Sequence, residues 1–202
     1  MLGNKYSWWA YRGIFSKKFC NEIIEHASTK PMQLGYTGGI EKKGLMTEEK
    51  KKKLFSIRNS NVAWLTDPWI NMPIMGAIGQ ANTESGWNYH YDASEEMQFT
   101  KYGPNQFYKW HKDEWNELYK QPHNKGKTRK LSAVVSLNDD YVGGGLQFQY
   151  RDVEIPHNEV CDVLKTPGSI VIFPAYVWHQ VLPVTQGVRY SLVIWTIGDA
   201  WK

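Results

Sequence analysis

The chain has 202 residues, 42% hydrophobic and 22% charged, the balance of a globular protein with enough length for a sizeable core. Its 24 Lys and Arg exceed its 20 Asp and Glu by a formal charge of +4, too little to imply a nucleic-acid partner. Cys20 and Cys161 build no disulfide framework, and no apolar run approaches the roughly 18 residues of a membrane helix, so a reducing, cytoplasmic setting without membrane contact is expected.

The N-terminal stretch "MLGNKYSWWAYRGIFS" lacks the apolar region of a signal peptide. "SKKFCNEIIEHAS" predicts a helix: Ser16 can cap it, and Phe19, Ile23, Ile24 and Ala27 share one face. "GYTGGIEKKGLMTEEKKKK" is rich in Gly and Lys and reads as a mobile loop. Its "EEKKKK" run, Glu48 to Lys53, carries much of the excess charge as a solvated loop or helix end. Asp67 and Pro68 fit the N-cap and first position of a second helix reaching about Asn82, with Pro73 weakening its first turns or delaying its start.

The texture changes after about residue 96. "MQFTKYG", "NQFYKWHKD", "KLSAVVSLN", "GLQFQY", "EVCDVLK", "SIVIFP" and "VRYSLVIWTIG" are β-branched or aromatic, and Gly, Pro, Asn or Asp punctuate most joins. A polar insertion, "NELYKQPHNKGKT", interrupts them. The layout predicts an α+β, mainly β, single domain: a helical N-terminal part over about 1–95, packed on a sandwich or barrel core over about 96–202. There is no internal repeat and no linker-like tract.

Six histidines are present. His26, His123 and His157 read as solvated, and His90, in "NYHYD", as core or cleft. His111 and Asp113 alternate on one strand and so face the same way. An H-x-D pair alone is weak support for a metal site. His179, delivered by a second strand after "IVIFPA", completes a set of two imidazoles and one carboxylate. Such a set suits Fe(II) with open coordination positions, not the closed four-ligand shell of structural zinc. Arg189, ten residues after His179, can hold a carboxylate through a paired hydrogen-bonding salt bridge in a dry pocket. Ser191, two further on, offers a hydroxyl on the same face.

These residues resemble the Fe(II)/2-oxoglutarate-dependent dioxygenases, most of all the prolyl 4-hydroxylase-like branch that includes the PKHD-type and oxygen-sensing enzymes. The family pattern is a Tyr, then H-x-D, a long gap, a His and a basic residue about ten later. Tyr102, His111, Asp113, His179 and Arg189 match it. "SLNDDYVGGGLQF" and "LKTPGSIVIFPA" resemble the family's strand–turn–strand and the strand leading to the distal histidine. The resemblance implies a double-stranded β-helix (jelly-roll-like) fold. It also implies Fe(II), with 2-oxoglutarate and O2 as cosubstrates and ascorbate as a candidate reductant. The implied reaction couples decarboxylation to succinate and CO2 with hydroxylation of a C–H bond.

By the same resemblance His111, Asp113 and His179 are the iron ligands. Arg189 holds the 2-oxoglutarate carboxylate, with Ser191 or Ser136 assisting and Tyr102 alongside. Trp195 and Leu146 become pocket wall. Arg129 is either a substrate-holding arginine or a solvated loop residue in "KGKTRK". The insertion over about 114–129, with Trp115, falls where the family carries a mobile loop. Together with the loop near 41–53 it could cover a polypeptide. Trp110 and Trp115 either frame the mouth of the site or pack beneath it.

A proline-containing polypeptide is therefore the expected partner. The alternatives are a free amino acid or other small molecule, a nucleobase, or a β-barrel binding module without chemistry. The prolyl-hydroxylase-like motifs argue against nucleic acid, and a monomer or dimer is expected.

Overall fold

The computed structural model describes residues 6–35, 48–115, 117–150 and 157–201. The sequence places helix formers and amphipathic spacing early and β-branched residues late, but strands are present from the outset. The first segment contains β1 (Trp9–Tyr11), α1 (Lys17–Ser28), β2 (Gln33–Leu34), α2 (Glu48–Phe55), β3 (Arg58–Asn59) and β4 (Asn61–Leu65). Next come α3 (Pro68–Glu84), β5 (Ala93–Ser94), β6 (Met97–Tyr102), β7 (Phe107–His111) and β8 (Lys127–Ser136). The chain ends with β9 (Tyr141–Gly143), β10 (Leu146–Tyr150), β11 (His157–Val160), β12 (Ile170–Pro174), β13 (His179–Val181), β14 (Val184–Gly187) and β15 (Arg189–Asp199).

Two sheets form the β core. The larger has eight strands in the order β1-β12-β8-β15-β6-β4-β2, with β5 added beside β15. The smaller has the order β11-β10-β13-β7-β3. The fold is mainly β, with helices packed on the sheet, as expected for a double-stranded β-helix. The central strands of the larger sheet read as nearly continuous apolar runs because both of their faces are buried. Along β8, Leu131, Ala133 and Val135 meet the helices, while Val134 joins the cluster with Phe148, Phe173 and Val181 of the other layer. Along β15, Leu192 and Ile194 take the helix side, and Ser191, Val193 and Trp195 face the cavity described below.

α1 starts where Ser16 accepts a hydrogen bond from the Phe19 backbone N–H, and it buries Cys20, Ile23 and Ala27 against the sheet. The fully buried Ile23 alone contributes about 2 kcal/mol. α3 runs straight through Pro73. The Asp67 side chain makes no cap bond there; it lies 2.9 Å from His26 Nε2 and ties α3 to α1. His26 is therefore a helix-to-helix contact and not simply solvated.

Two further expectations change. The "EEKKKK" run, read as a solvated loop or helix end, forms the first turns of α2, since unbranched Glu and Lys lose little freedom in a helix. The remainder of that Gly/Lys-rich segment, 36–47, lies outside the described residues. "EVCDVLK" is not one strand: β11 ends at Val160 and a 3-10 turn covers Asp162–Lys165. His157, exposed as expected, opens β11 and stacks on Tyr150 at 4.8 Å between ring centres.

The N-terminal strands matter for function. β4 pairs β6 with Trp64 opposite Gln98, and β3 pairs β7 with Arg58 opposite Tyr108. Both put N-terminal residues on the wall of the central cavity.

Candidate metal centre

β13 lies antiparallel to β7 with His179 directly opposite His111. The sheet register thus brings together two histidines far apart in sequence. Asp113 follows in the turn after β7, where the backbone N–H groups of Asp113 and Glu114 both donate to the Ala175 carbonyl at 2.9 Å. That carbonyl anchors the Asp113 turn to the end of β12.

His179 Nε2 is 3.6 Å from Asp113 Oδ2, and His111 Nε2 is 3.8 Å from Asp113 Oδ1. Donor atoms from the three residues all lie within 4.8 Å of one another, a spacing that one metal ion can bridge. The outer nitrogens are oriented too. His111 Nδ1 sits 2.7 Å from the Lys109 carbonyl and His179 Nδ1 3.0 Å from that of Val177. A carbonyl only accepts, so Nδ1 carries the proton in each ring and the Nε2 lone pair faces the metal position.

The electrostatics at His111 and Asp113 agree with these protonation states. Burial and the neighbouring His179 push His111 well below the usual histidine range. Burial pushes the Asp113 carboxyl up, but His179, His111 and Arg129 outweigh it and hold it at about 2. Neutral imidazoles with an ionised carboxylate form the donor set a divalent metal requires.

The triad opens into a cavity of about 680 Å³ whose walls include Tyr102, Tyr108, Leu146, Arg189, Ser191 and Trp195. Arg189 is 2% exposed and cross-strand from Tyr102, with its guanidinium carbon 5.5 Å from that ring. Its Nη1 donates to Ser191 Oγ at 3.1 Å, while its buried Nη2 has no partner among the described residues. A buried guanidinium with an orphaned donor, in the same cavity as the triad, is suited to a carboxylate. The donor set and this orphaned nitrogen fit an iron ion with a chelating dicarboxylate.

The 2OG-Fe(II) oxygenase superfamily profile matches residues 97–197, half of the chain. The chain belongs to the 2OG-Fe(II) oxygenase superfamily. It is an oxygenase with Fe(II) as its metal and 2-oxoglutarate and O2 as cosubstrates.

A protein of Acanthamoeba polyphaga mimivirus, provisionally named a prolyl 4-hydroxylase, is 25% identical over 188 residues, covering 87% of this chain and 68% of that protein. A PKHD-type hydroxylase of Cupriavidus metallidurans is 34% identical over 98 residues, 48% of this chain, and the match spans 40% of that protein's length. Among solved structures, the viral collagen prolyl hydroxylase of Paramecium Bursaria Chlorella virus-1 superposes with a TM-score of 0.65 at 17% identity. That superposition covers 99% of this chain and 100% of the other, a likeness of fold.

Not every expected residue reaches the oxygenase cavity. Ser136 lies opposite Ser191, but its hydroxyl donates to the Asn138 carbonyl at 3.4 Å, and it is not among the lining residues. Arg129 is buried on β8 and is not a solvated loop arginine. Its Nε and Nη2 contact Glu95 at 2.5 and 2.7 Å, and its guanidinium stacks 4.0 Å from Trp195 and 5.1 Å from Trp115. Trp115, 36% exposed, lines the mouth and donates to Tyr119 Oη at 3.1 Å; Trp110 does not line the cavity. The wall also includes Arg58, Trp64, Gln98 and Trp178, which sequence reasoning missed. Trp178 adjoins His179 and could have been noticed. The others reach the site through strand pairing and carry no sequence signal.

Proposed function

We propose that the protein hydroxylates a residue within a polypeptide, proline first, releasing succinate and CO2. The observation that carries this reading is the cavity wall. Trp64, Trp115, Trp178 and Trp195 all line the one cavity that contains the triad, and Trp64 and Trp115 remain part-exposed. Flat aromatic faces around an open site suit an extended, proline-bearing chain, whose polyproline backbone is pre-shaped and leaves its polar groups solvated. The prolyl-hydroxylase names among its relatives support the same substrate.

In this reading His111, Asp113 and His179 hold the iron. Arg189, steadied by Ser191 and bordered by Tyr102, binds the distal carboxylate of 2-oxoglutarate. The bound iron with 2-oxoglutarate and O2 supplies the oxidising power. The protein's own contribution is to orient and to exclude water. The two Nδ1–carbonyl bonds hold the imidazole planes, the Ala175 carbonyl holds the Asp113 turn, and Leu146 with Trp195 walls the reacting centre.

The test is succinate formation and oxygen incorporation by the purified protein. It is supplied with Fe(II), 2-oxoglutarate and, in parallel, proline-containing peptides, free proline and oligonucleotides, with His111→Ala as control. Peptide hydroxylation above the control supports the reading. Turnover on free proline or oligonucleotides alone overturns it.

A further inference from the structure

The oxygenase cavity contains a third arginine, and its charge is not accounted for by the metal or the cosubstrate. Arg129 is neutralised by Glu95, and Arg189 is the cation beside the triad. Arg58, on β3, is 6% exposed and lines the same cavity. Every partner it has among the described residues is neutral. Its Nε donates to Ser60 Oγ at 2.8 Å, its Nη2 donates to Gln98 Oε1 at 2.6 Å, and its guanidinium carbon lies 4.6 Å from the centre of the Tyr108 ring. Nη1 makes no hydrogen bond to a described residue, and no described carboxylate lies within ion-pair distance.

The side chain is also held in place from the other strands. A Cβ on Gly35 would lie 2.6 Å from Arg58 Nε and 2.9 Å from its Cζ, so only a bare backbone fits against the guanidinium there. The Gly35 N–H donates to the Ser60 carbonyl at 2.9 Å, fixing that approach. Gln98, which accepts from Arg58, lies on β6 and also accepts weakly from Thr100 at 3.4 Å. Arg58, on the edge strand of the smaller sheet, thus reaches across to β6 of the larger sheet in a fixed position. Burying a cation among neutral groups is costly, and the cost is recovered when an anion binds to it.

We propose that Arg58 is an anion subsite for the substrate: it binds a carboxylate side chain, Asp or Glu, next to the hydroxylated residue. This rests on the peptide reading above and deepens it. Tyr108 links the subsite to the metal centre, since the His111 ring stacks on it at 3.4 Å between ring centres. The Arg58 guanidinium carbon and the His111 ring centre are therefore no farther apart than that stack plus the Arg58–Tyr108 distance. An extended chain advances about 3.1–3.4 Å per residue, so the acidic residue sits about one to three positions from the target.

The experiment compares matched proline peptides, carrying Asp or Glu near the proline or the isosteric Asn or Gln. They are offered to wild type, Arg58→Gln and Arg58→Lys with Fe(II) and 2-oxoglutarate present. Oxygen incorporation and the KM for peptide and for 2-oxoglutarate are read. A charge-assisted contact predicts a preference of about tenfold or more for the acidic peptides in wild type, lost in Arg58→Gln and partly kept in Arg58→Lys.

Because Arg58→Gln could lose the fold, Gln98→Glu provides a second test. It leaves Arg58 in place and fills the subsite with an internal carboxylate, and it too abolishes the preference. Equal turnover of both peptide sets by wild type overturns the subsite while leaving peptide hydroxylation intact. Turnover of neither set overturns the peptide reading and the subsite together. A rise in the KM for 2-oxoglutarate in Arg58→Gln without a change in peptide preference reassigns the cation to the cosubstrate and overturns the proposal.

Discussion

Arg129 is held in a two-point ion pair by Glu95, and the same carboxylate accepts a hydrogen bond from Tyr119. Tyr119 in turn accepts from Trp115, so one half-buried acid links the β8 arginine on the cavity wall to the segment that follows the Asp113 turn. Arg129 Nη1 also donates to the Asp113 carbonyl at 3.3 Å, which brings this network to the turn that carries Asp113.

Removing that acid tests the linkage. Glu95→Ala strands a buried guanidinium and frees Tyr119, and breaking a buried pair on one side costs about 3 kcal/mol. Urea denaturation of the variant is expected to show this loss. An unchanged midpoint means that Arg129 finds another anion or reaches water.

The cosubstrate assignment rests on Arg189. Arg189→Ala is expected to raise the 2-oxoglutarate requirement about a hundredfold, the scale of two lost charge-assisted hydrogen bonds. Metal binding stays, because none of the three donor residues contacts the deleted group. Anaerobic titration with iron and then with 2-oxoglutarate separates the two effects. Equal loss of iron shows that the arginine supports the fold of the centre instead.

Metal removal is expected to leave the protein folded. The triad rests on a paired sheet register and on backbone hydrogen bonds that need no ion. Adding Mn(II), a redox-inert stand-in, at a hundred times its dissociation constant is expected to stabilise the wild type by about 3 kcal/mol. The same addition shifts the melting temperature of His179→Ala little. Unfolding of the wild type on chelation overturns this view of a preformed site.

Cys20 and Cys161 are both buried, and burial raises both thiols, Cys161 to about 11. At pH 8 the thiolate is scarce, so maleimide is expected to leave the native protein unlabelled and to label it in denaturant. Unfolding releases a proton between the ordinary thiol value of about 8.5 and about 11. Stability therefore falls as pH rises through that window, a trend that Cys161→Ala weakens. Rapid labelling of the native protein at pH 8 contradicts the burial.

The helices and long strands were legible because each carries its own pattern. α1 has a capping serine and one apolar face, and the central strands are apolar on both faces. The short strands were not legible. β2, β3 and β5 are two residues long, and pairing with a neighbour, not local preference, makes them strands. The polar Arg58–Asn59 pair has no β signature at all, yet it completes the smaller sheet.

The order of residues along the chain determined the chemistry. His111 at the end of one strand, His179 on another, and Arg189 with Ser191 at alternate positions of a third follow from the strand pattern, but Asp113, expected on the strand of His111, lies in the turn beyond it, where the Ala175 carbonyl holds it. Tertiary structure alone decided which charges in the cavity are satisfied. Glu95 neutralises Arg129, Arg58 meets only the neutral Gln98 and Ser60 among the described residues, and Arg189 is left with an open nitrogen. Charge compensation depends on distances between strands, and a linear sequence does not contain those distances.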